Sequence, residues 1–280
     1  MRKIILSTTI LFACFLSSCS RYIGPPTAGA NNISYLPRPF ITDSAKFKTY
    51  ANLEYSLAES RDGITIINSG IFNLSQAYAS KKFNASIGAF GFFGGIKYKD
   101  TFNNGDYRNP NVIVTDEYQK SFIGWGLRST IGFQKVSSNK LINFRIINWE
   151  NAYSQEYGEY SQFRKGIINK SDVSRDYEAY IYVSNFTKIF TTGFSSEILW
   201  NKAFDEKEFS LGTRAFIGFS PKVLNSFKRI PNSGNYEESV NISPIIIGSF
   251  YFNYKNLFGV LQIGGGDKLN LIKTGIGYTF

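Results

Sequence analysis

Six charged side chains are the residues of this sequence with the clearest capacity for chemistry. They are Lys48, Glu54, Arg128, Arg145, Glu197 and Arg214. Each lies on the polar face of a segment in which polar and apolar residues alternate, so we expect the six to point into one interior. There they could form a selectivity ring or a ligand clamp. The interpretation that we favour is a set of ion pairs holding a polar interior closed, because an unpaired charge in a narrow interior is unfavourable.

The composition argues against catalysis by these residues. The sequence contains no histidine, which excludes Ser-His-Asp hydrolases, Cys-His proteases and enzymes with histidine-bound zinc. An enzyme would have to work with carboxylates alone, and nothing in the spacing of Glu54 and Glu197 indicates an acid/base pair. We therefore expect no enzymatic activity, no catalytic residue, no metal and no cofactor.

Residues 1–18 predict a cleaved export signal. Arg2 and Lys3 precede an apolar run over residues 4–15 that is too short to cross a bilayer as a helix. The next four residues, Leu16-Ser17-Ser18-Cys19, resemble the bacterial lipobox, in which the cysteine thiol receives a diacylglyceryl group and becomes the mature N-terminus. This resemblance implies lipidation of Cys19. The alternative is an ordinary signal peptide followed by a chance cysteine.

The predicted cleavage changes the cysteine and charge content of the chain. Cys14 lies inside the signal, so an acylated Cys19 would leave the mature chain with neither a free thiol nor a disulfide. Loss of Arg2 and Lys3 leaves 29 basic and 21 acidic residues. The basic residues are scattered, which argues against a nucleic-acid partner. We expect contacts with anionic outer-membrane lipid and with lipopolysaccharide phosphates instead.

The elements that must position the six charges are β-strands. Aromatic residues make up 17% of the chain, and period-two alternation predicts one strand domain over residues 46–280, behind a Pro-rich tether or plug at 19–45. The expected strands are 46–58, 63–79, 82–99, 118–136, 140–154, 177–200, 208–220, 240–254, 256–264 and 269–280. Most reach the roughly nine to eleven residues that a tilted strand needs to cross a bilayer.

The pattern of connections predicts an all-β, antiparallel, up-and-down transmembrane β-barrel of about ten strands. Long connections at 100–117, 155–176 and 221–239 all follow odd-numbered strands, as the outer loops of bacterial barrels do. An even strand number requires one long strand at 177–200, although a hairpin at Asn185-Phe186 would split it. The main alternative is a soluble, lipocalin-like periplasmic barrel that holds a ligand, and the two differ in which face is apolar.

The C-terminal residues resemble the recognition strand that the barrel-assembly machinery reads in outer-membrane barrels. The chain ends in an aromatic residue, and Ile276, Tyr278 and Phe280 share one face. The resemblance implies that these three residues act as the assembly signal and that this machinery is a partner.

A wider resemblance covers the mature chain more loosely. Cys19, the stretch Tyr35-Leu36-Pro37-Arg38-Pro39, the strand from Gly88 to Gly95 and the terminal hairpin are similar to uncharacterised outer-membrane barrel lipoproteins of Bacteroidetes. The resemblance implies a Gram-negative cell envelope and a barrel, with no known activity.

The expected role is therefore structural. Tyr50, Phe216 and Tyr251 fall on the inward register, where they would leave little free bore. We expect an outer-membrane barrel lipoprotein that acts as a scaffold or a surface-binding module, with another envelope protein as a candidate partner. The alternatives are a narrow channel or small-ligand transporter, and the soluble binding lipoprotein described above.

Overall fold

The computed structural model describes residues 21–40, 46–60, 65–98, 118–138, 141–169, 181–201, 209–221, 223, 226–230, 244–266 and 269–280. The barrel wall consists of β2 (Lys46–Ser60), β3 (Thr65–Ala79), β4 (Phe83–Tyr98), β5 (Tyr118–Val136), β6 (Ile142–Tyr157), β8 (Lys188–Asn201), β9 (Phe209–Phe219), β11 (Ile245–Tyr254), β12 (Leu257–Gly266) and β13 (Leu269–Thr279). The other elements are β1 (Arg21–Ile23), helix α1 (Glu159–Asn169), β7 (Ile181–Ser184), β10 (Phe227–Ile230) and a 3₁₀ turn at Gly29–Asn31.

The ten wall strands form a closed antiparallel barrel. Each wall strand pairs with the next wall strand along the chain. β13 closes the cylinder against β2, with Lys273 opposite Ser56 and Tyr278 opposite Ala51. Closure leaves the wall without an unpaired edge, so that all of its strands can lie in a membrane. The predicted all-β, up-and-down barrel of about ten strands is confirmed.

The two faces of the wall have opposite chemistry. On β2, Leu53 points outward and is 62% exposed, whereas its neighbour Asn52 points inward and is 4% exposed. The apolar outer face from Phe47 to Leu57 is about 33 Å long at roughly 3.3 Å per residue, or about 25 Å of membrane thickness at a strand tilt of about 40°. A lipocalin-like barrel would have its apolar face inside, so the structure argues against that alternative.

The predicted single strand at 177–200 is wrong. The wall strand β8 begins only at Lys188, and residues 185–187 separate it from the short strand β7. β7 pairs with β1 in parallel and with β10 antiparallel, forming a small separate sheet. The wall still has ten strands because β7 lies outside it. Ile181, Tyr182 and Val183 are three consecutive apolar residues, so the alternation of β8 does not extend into β7.

The two ends of the barrel differ. Residues 80–82, 137–141 and 255–256 connect strands at one end, which we call the short-turn end, and Lys255 adopts φ 55° in the tightest of these turns. The opposite loop end carries α1, which begins inside the connection expected at 155–176, and the sheet of β1, β7 and β10. Along the described part of the chain, no helix is long and apolar enough to cross a membrane.

A β-bulge in β6 changes which side chains face the lumen. The pairing with β8 shifts register between Arg145 and Asn148. As a result Ile146 and Ile147 both point outward, while Arg145, Asn148 and Glu150 all point inward. A bulge inserts an extra residue and so reverses the parity of everything that follows.

Candidate functional site

The lumen of the barrel is filled by residues 24–40, which we call the plug. Nearly all of these residues are buried. Along the plug, from residue 24 to residue 40, the contacts with the wall move from the loop end to the short-turn end. Thr27 accepts a hydrogen bond from Ser154 near the loop end (3.0 Å), and Arg38 binds Asn84 near the short-turn end (2.8 Å). Of the predicted 19–45 segment, residues 19, 20 and 41–45 lie outside the described residues.

The plug has little regular structure, and it binds the wall through polar contacts as well as apolar packing. A short turn closes with a bond from the Asn31 backbone N–H to the Ala28 carbonyl. Asn31 also accepts a hydrogen bond from the Ser56 hydroxyl of β2 (2.8 Å), and the Asn32 amide donates to Thr191 of β8 (3.0 Å). Further down, the Tyr35 ring stacks on Tyr251, with centroids 4.2 Å apart. The plug thus bridges opposite walls of the barrel.

Glu197 is the centre of the charge cluster nearest the short-turn end. It forms ion pairs with Arg145 of the wall (2.5 Å) and with Arg38 of the plug. The Tyr251 hydroxyl donates a third hydrogen bond to the same carboxylate (3.0 Å). All four side chains are buried, and a charge-assisted network of this kind is strong only while every member is present.

A second ion pair joins β6 to β9 near the middle of the barrel. The Arg214 guanidinium donates two hydrogen bonds to Glu150, at 2.9 and 2.5 Å. Its third nitrogen donates to the Ser249 hydroxyl (3.1 Å). This bidentate geometry satisfies both carboxylate oxygens and orients the two side chains.

Two buried cations depend on the plug rather than on a carboxylate. The Arg128 guanidinium donates to the Asn32 carbonyl (3.1 Å) and lies over the Phe90 ring, 3.8 Å from its centroid. The Lys273 ammonium donates to the Asn31 and Ile33 carbonyls, at 3.3 and 3.1 Å. Backbone carbonyls of an irregular segment have no partner in secondary structure, so they are free to accept from these cations.

Glu54 is satisfied without a cation in direct contact. The Ser34 hydroxyl of the plug and the Asn52 amide donate to its two oxygens, at 2.7 and 2.8 Å. Lys273 in turn donates to the Ser34 hydroxyl (2.7 Å), so that one plug serine connects the carboxylate and the ammonium. Glu54 and Glu197 therefore belong to different clusters, and the structure brings no acid/base pair together.

The described lumen contains more buried cations than buried carboxylates. The cations are Arg38, Arg128, Arg145, Arg214 and Lys273, and the carboxylates are Glu54, Glu150 and Glu197. Plug carbonyls accept from Arg128, Arg145 and Lys273. The backbone of the plug thus compensates for the missing carboxylates, and the plug is an electrostatic component of the barrel.

A cap of α1 and the small sheet covers the loop end. Arg164 of α1 donates to both oxygens of Glu156 (2.9 and 2.7 Å) and to the Ser184 carbonyl of β7 (2.8 Å). Burial opposes the charge of Arg164, but Glu156 raises its pKa above the usual value. Burial raises the pKa of Tyr160 to about 12, so its hydroxyl stays protonated and donates to the Gly24 carbonyl (2.9 Å).

The structure brings five of the six sequence-predicted charges into the lumen. Glu54, Arg128, Arg145, Glu197 and Arg214 are buried there, with ion pairs or hydrogen bonds as described above. The sixth, Lys48, lies on the inward register but at the short-turn rim, where it is only partly buried. It contributes to none of the clusters above.

The remaining predicted site residues lie elsewhere. Ile276, Tyr278 and Phe280 point outward on the closing strand, and the Phe280 backbone N–H donates to the Thr49 carbonyl (2.9 Å). The Tyr278 and Phe280 rings meet edge to face, 5.1 Å apart. Cys19 lies outside the described residues. None of the described residues form a cluster of three or more metal-ligating side chains.

The six predicted charges omitted three charges of the luminal clusters, and also the Glu156–Arg164 pair of the cap. Lys273 falls on the face opposite Ile276, so alternation along β13 could have found it. Glu150 falls on the wrong parity when counted from Arg145, because the bulge at Ile146-Ile147 is invisible in the alternation. Arg38 lies in the plug, where no period exists, and the Pro37-Arg38-Pro39 sequence gives no indication of a buried charge.

Comparisons with solved structures return barrels with low identity. The chain is similar to the translocator domain of autotransporter NalP from Neisseria meningitidis (8% identity, 84% of this chain and 88% of the other, TM-score 0.39). It is also similar to the beta domain of the Bordetella autotransporter BrkA (10%, 84% and 98%, 0.42) and to the Ail protein of Yersinia pestis (10%, 85% and 100%, 0.27). No protein-family model and no curated protein matches the chain. These likenesses concern fold and assign no activity to this chain.

Proposed function

We propose that this chain is a non-catalytic outer-membrane lipoprotein, anchored at Cys19, whose closed barrel acts as a scaffold or surface-binding module. The apolar outer face, the even strand number and the long connections at one end are the features of outer-membrane barrels. Its immediate partners are outer-membrane lipid, lipopolysaccharide and the barrel-assembly machinery. A further envelope protein would bind at the loop end or along the barrel wall.

The observation that carries this proposal is the occupied lumen. The plug contacts β2, β6, β8 and β12 as it descends, through Ser56, Ser154, Thr191 and Gln262. Its contacts continue to Arg38 near the short-turn end, where Arg38 and Arg145 share Glu197. A barrel filled by its own chain offers no open bore for bulk transport, so its exposed surfaces are left as the working parts.

Planar-bilayer recording tests the closed lumen. The purified protein is expected to give no steady ion conductance, and crosslinking in native membranes is expected to capture a reproducible envelope partner. Stable openings in the unmodified protein, with an ion selectivity that shifts in Arg128→Glu or Arg214→Glu, would show that the protein is a channel and not a scaffold. Conductance that is the same in both variants as in the unmodified protein would indicate leakage around misfolded protein. Heat-modifiable migration on gels identifies misfolded protein independently.

A narrow channel is the second candidate, and one feature favours it. Ser75, Ser86 and Asn143 are buried on the inward faces of β3, β4 and β6, and their side-chain polar atoms have no protein partner. Buried polar groups of this kind are normally hydrated. A water-filled path beside the plug would therefore run along this side of the lumen, and Asn143→Leu should reduce any conductance that the recordings detect.

Metabolic labelling tests the proposed anchor. A clickable fatty acid should label the unmodified protein, and Cys19→Ala should lose the label and accumulate as an unprocessed or misprocessed precursor. Cys14→Ala is the matched control, because that cysteine lies within the segment that cleavage removes. Equal labelling of Cys19→Ala and the unmodified protein would refute lipidation at this residue.

A further inference from the structure

The direction in which the plug enters the barrel is defined by its contacts. Gly24 contacts Tyr160 of the cap at the loop end, and Arg38 contacts Asn84, the second residue of β4, at the short-turn end. The chain then begins β2 with Lys46, which pairs with Ala79 beside the turn at 80–82. The N-terminal segment thus enters the lumen at the loop end and emerges at the short-turn end.

The described residues before the plug belong to the cap. β1 runs parallel to β7, with Arg21 opposite Ile181 and Ile23 opposite Val183. After β7, residues 185–187 lead to Lys188 at the loop end of β8, and Ile23 is followed by Gly24 of the plug. Ile23 is therefore the end of β1 nearer the barrel, and Arg21 is the end farther from it. The chain therefore approaches the lumen from above the loop end.

This geometry restricts where residue 19 can lie. Two residues of extended chain reach at most about 7 Å beyond Arg21, whereas the hydrocarbon core of a bilayer is about 30 Å thick. The lumen is already filled by residues 24–40, so no second path leads back to the short-turn end. In outer-membrane barrels the long connections face the outside of the cell.

We infer that the chain threads its own barrel from the cell surface inward, so that the mature N-terminus lies outside the cell and the lipid on Cys19 is held in the outer leaflet. The lipid part of this inference rests on the proposed modification of Cys19. The position of Arg21 outside the cell does not, because it follows from β1, the cap, the plug and the outward orientation of the long connections. The acyl chains would then fix the entry point of the plug at the surface.

An epitope tag inserted between Ser20 and Arg21 tests the position of the N-terminus. In intact cells an antibody should label this tag as strongly as the same tag placed at residue 105 in the connection that follows β4. The same tag in the turn at 255–256 is the matched control, and it should be labelled only after the outer membrane is permeabilised. A residue-20 tag that behaves like the 255–256 tag overturns the inference.

An engineered disulfide tests the threading directly. The Thr27 and Ser154 hydroxyls are 3.0 Å apart, so Thr27→Cys/Ser154→Cys should form a disulfide that changes migration on non-reducing gels. Thr27→Cys/Ser210→Cys is the mismatched control, because Ser210 lies at the short-turn end of β9. Heat-modifiable migration must show that both variants are folded. Crosslinking in the mismatched pair but not in the matched pair would then overturn the threaded path.

The two experiments separate this inference from the proposed anchor. If the fatty-acid label is absent while the residue-20 tag is exposed, lipidation fails and the outward N-terminus stands. If the label is present while the tag is protected, the anchor stands and the surface position fails. Digestion of intact labelled cells with an external protease adds a direct readout, since it should separate the fatty-acid label from the barrel only if the anchor is outside.

Discussion

The inner and outer faces of the barrel share one backbone but obtain their stability from different partners. Outward side chains such as Leu53 and Phe133 are more than 60% exposed and contact whatever surrounds the barrel. Inward side chains such as Arg128 and Glu197 are buried and bind particular atoms of a single segment. The outer face therefore tolerates any apolar residue, whereas the inner face depends on specific partners.

Because the inner face depends on the plug, we expect plug and wall to be stable only together. Removing one partner of a buried ion pair leaves an uncompensated charge, which is more destabilising than the loss of attraction alone. Arg128, Arg145 and Lys273 each donate to plug carbonyls. A wall without its plug would contain three cations that lack these acceptors, so substitutions on the two faces should differ in kind.

The largest effect is expected at the end of the outer face. Phe280→Asp, or deletion of Phe280, should reduce the amount of assembled barrel sharply and produce periplasmic degradation products, because this residue ends the proposed assembly signal. Phe280→Tyr keeps the terminal aromatic ring and should assemble normally. Heat-modifiable migration of outer-membrane fractions measures both, and normal levels of folded Phe280→Asp would contradict the assembly role.

The next largest effect is expected in the lumen. Glu197→Ala leaves Arg38 and Arg145 without their shared carboxylate and should lower the free energy of unfolding by about 3–5 kcal/mol. Glu59→Ala is the matched control on the same barrel, because Glu59 is exposed on the outer face, and it should change stability by less than about 0.5 kcal/mol. Equal urea-unfolding curves for the two variants would refute the ion-pair network.

A charge introduced on the outer face should lower the free energy of unfolding, and the loss should be larger near the middle of the bilayer than near its surface. Leu53 lies midway along the apolar stretch of β2, so Leu53→Arg should lower stability by about 2–4 kcal/mol in lipid vesicles. Phe47→Arg lies near the short-turn rim and should cost about 0–1 kcal/mol. A similar loss at both positions in vesicle unfolding experiments would show that the apolar face is not embedded as proposed.

The smallest effect is expected at a single neutral contact of the plug. Ser56→Ala removes the hydroxyl that donates to Asn31 (2.8 Å) and should lower stability by about 0.5–1.5 kcal/mol. Ser129→Ala, on the outer face of β5, serves as the control and should leave plug contacts intact. Stability equal to that of the unmodified protein in Ser56→Ala would indicate that this bond contributes nothing to holding the plug.

Alternation, together with connection length and an even strand number, predicted most of the wall. Period-two patterns located the ten wall strands to within a few residues at most ends, and they placed Tyr50, Phe216 and Tyr251 inside, where all three are buried. This works because the period of a strand is a local property, and because one face meets an apolar and the other a polar environment. The prediction failed at residues 181–184, which were joined to the wall strand although they do not alternate and belong to the cap.

The partners of the luminal charges were decided by tertiary structure. Glu197 could be assigned to the polar face from its neighbours, but its pairing with Arg38 joins residues 159 positions apart, and no local pattern encodes that contact. The inward position of Glu150 depends on a bulge, and the occupancy of the lumen depends on the path of a segment with no period. The hydrophobicity of each residue is enough to predict which side chains can face lipid, because it is a property of single residues. Only the closed barrel decided which of the others met, because that depends on where distant strands and the plug come together.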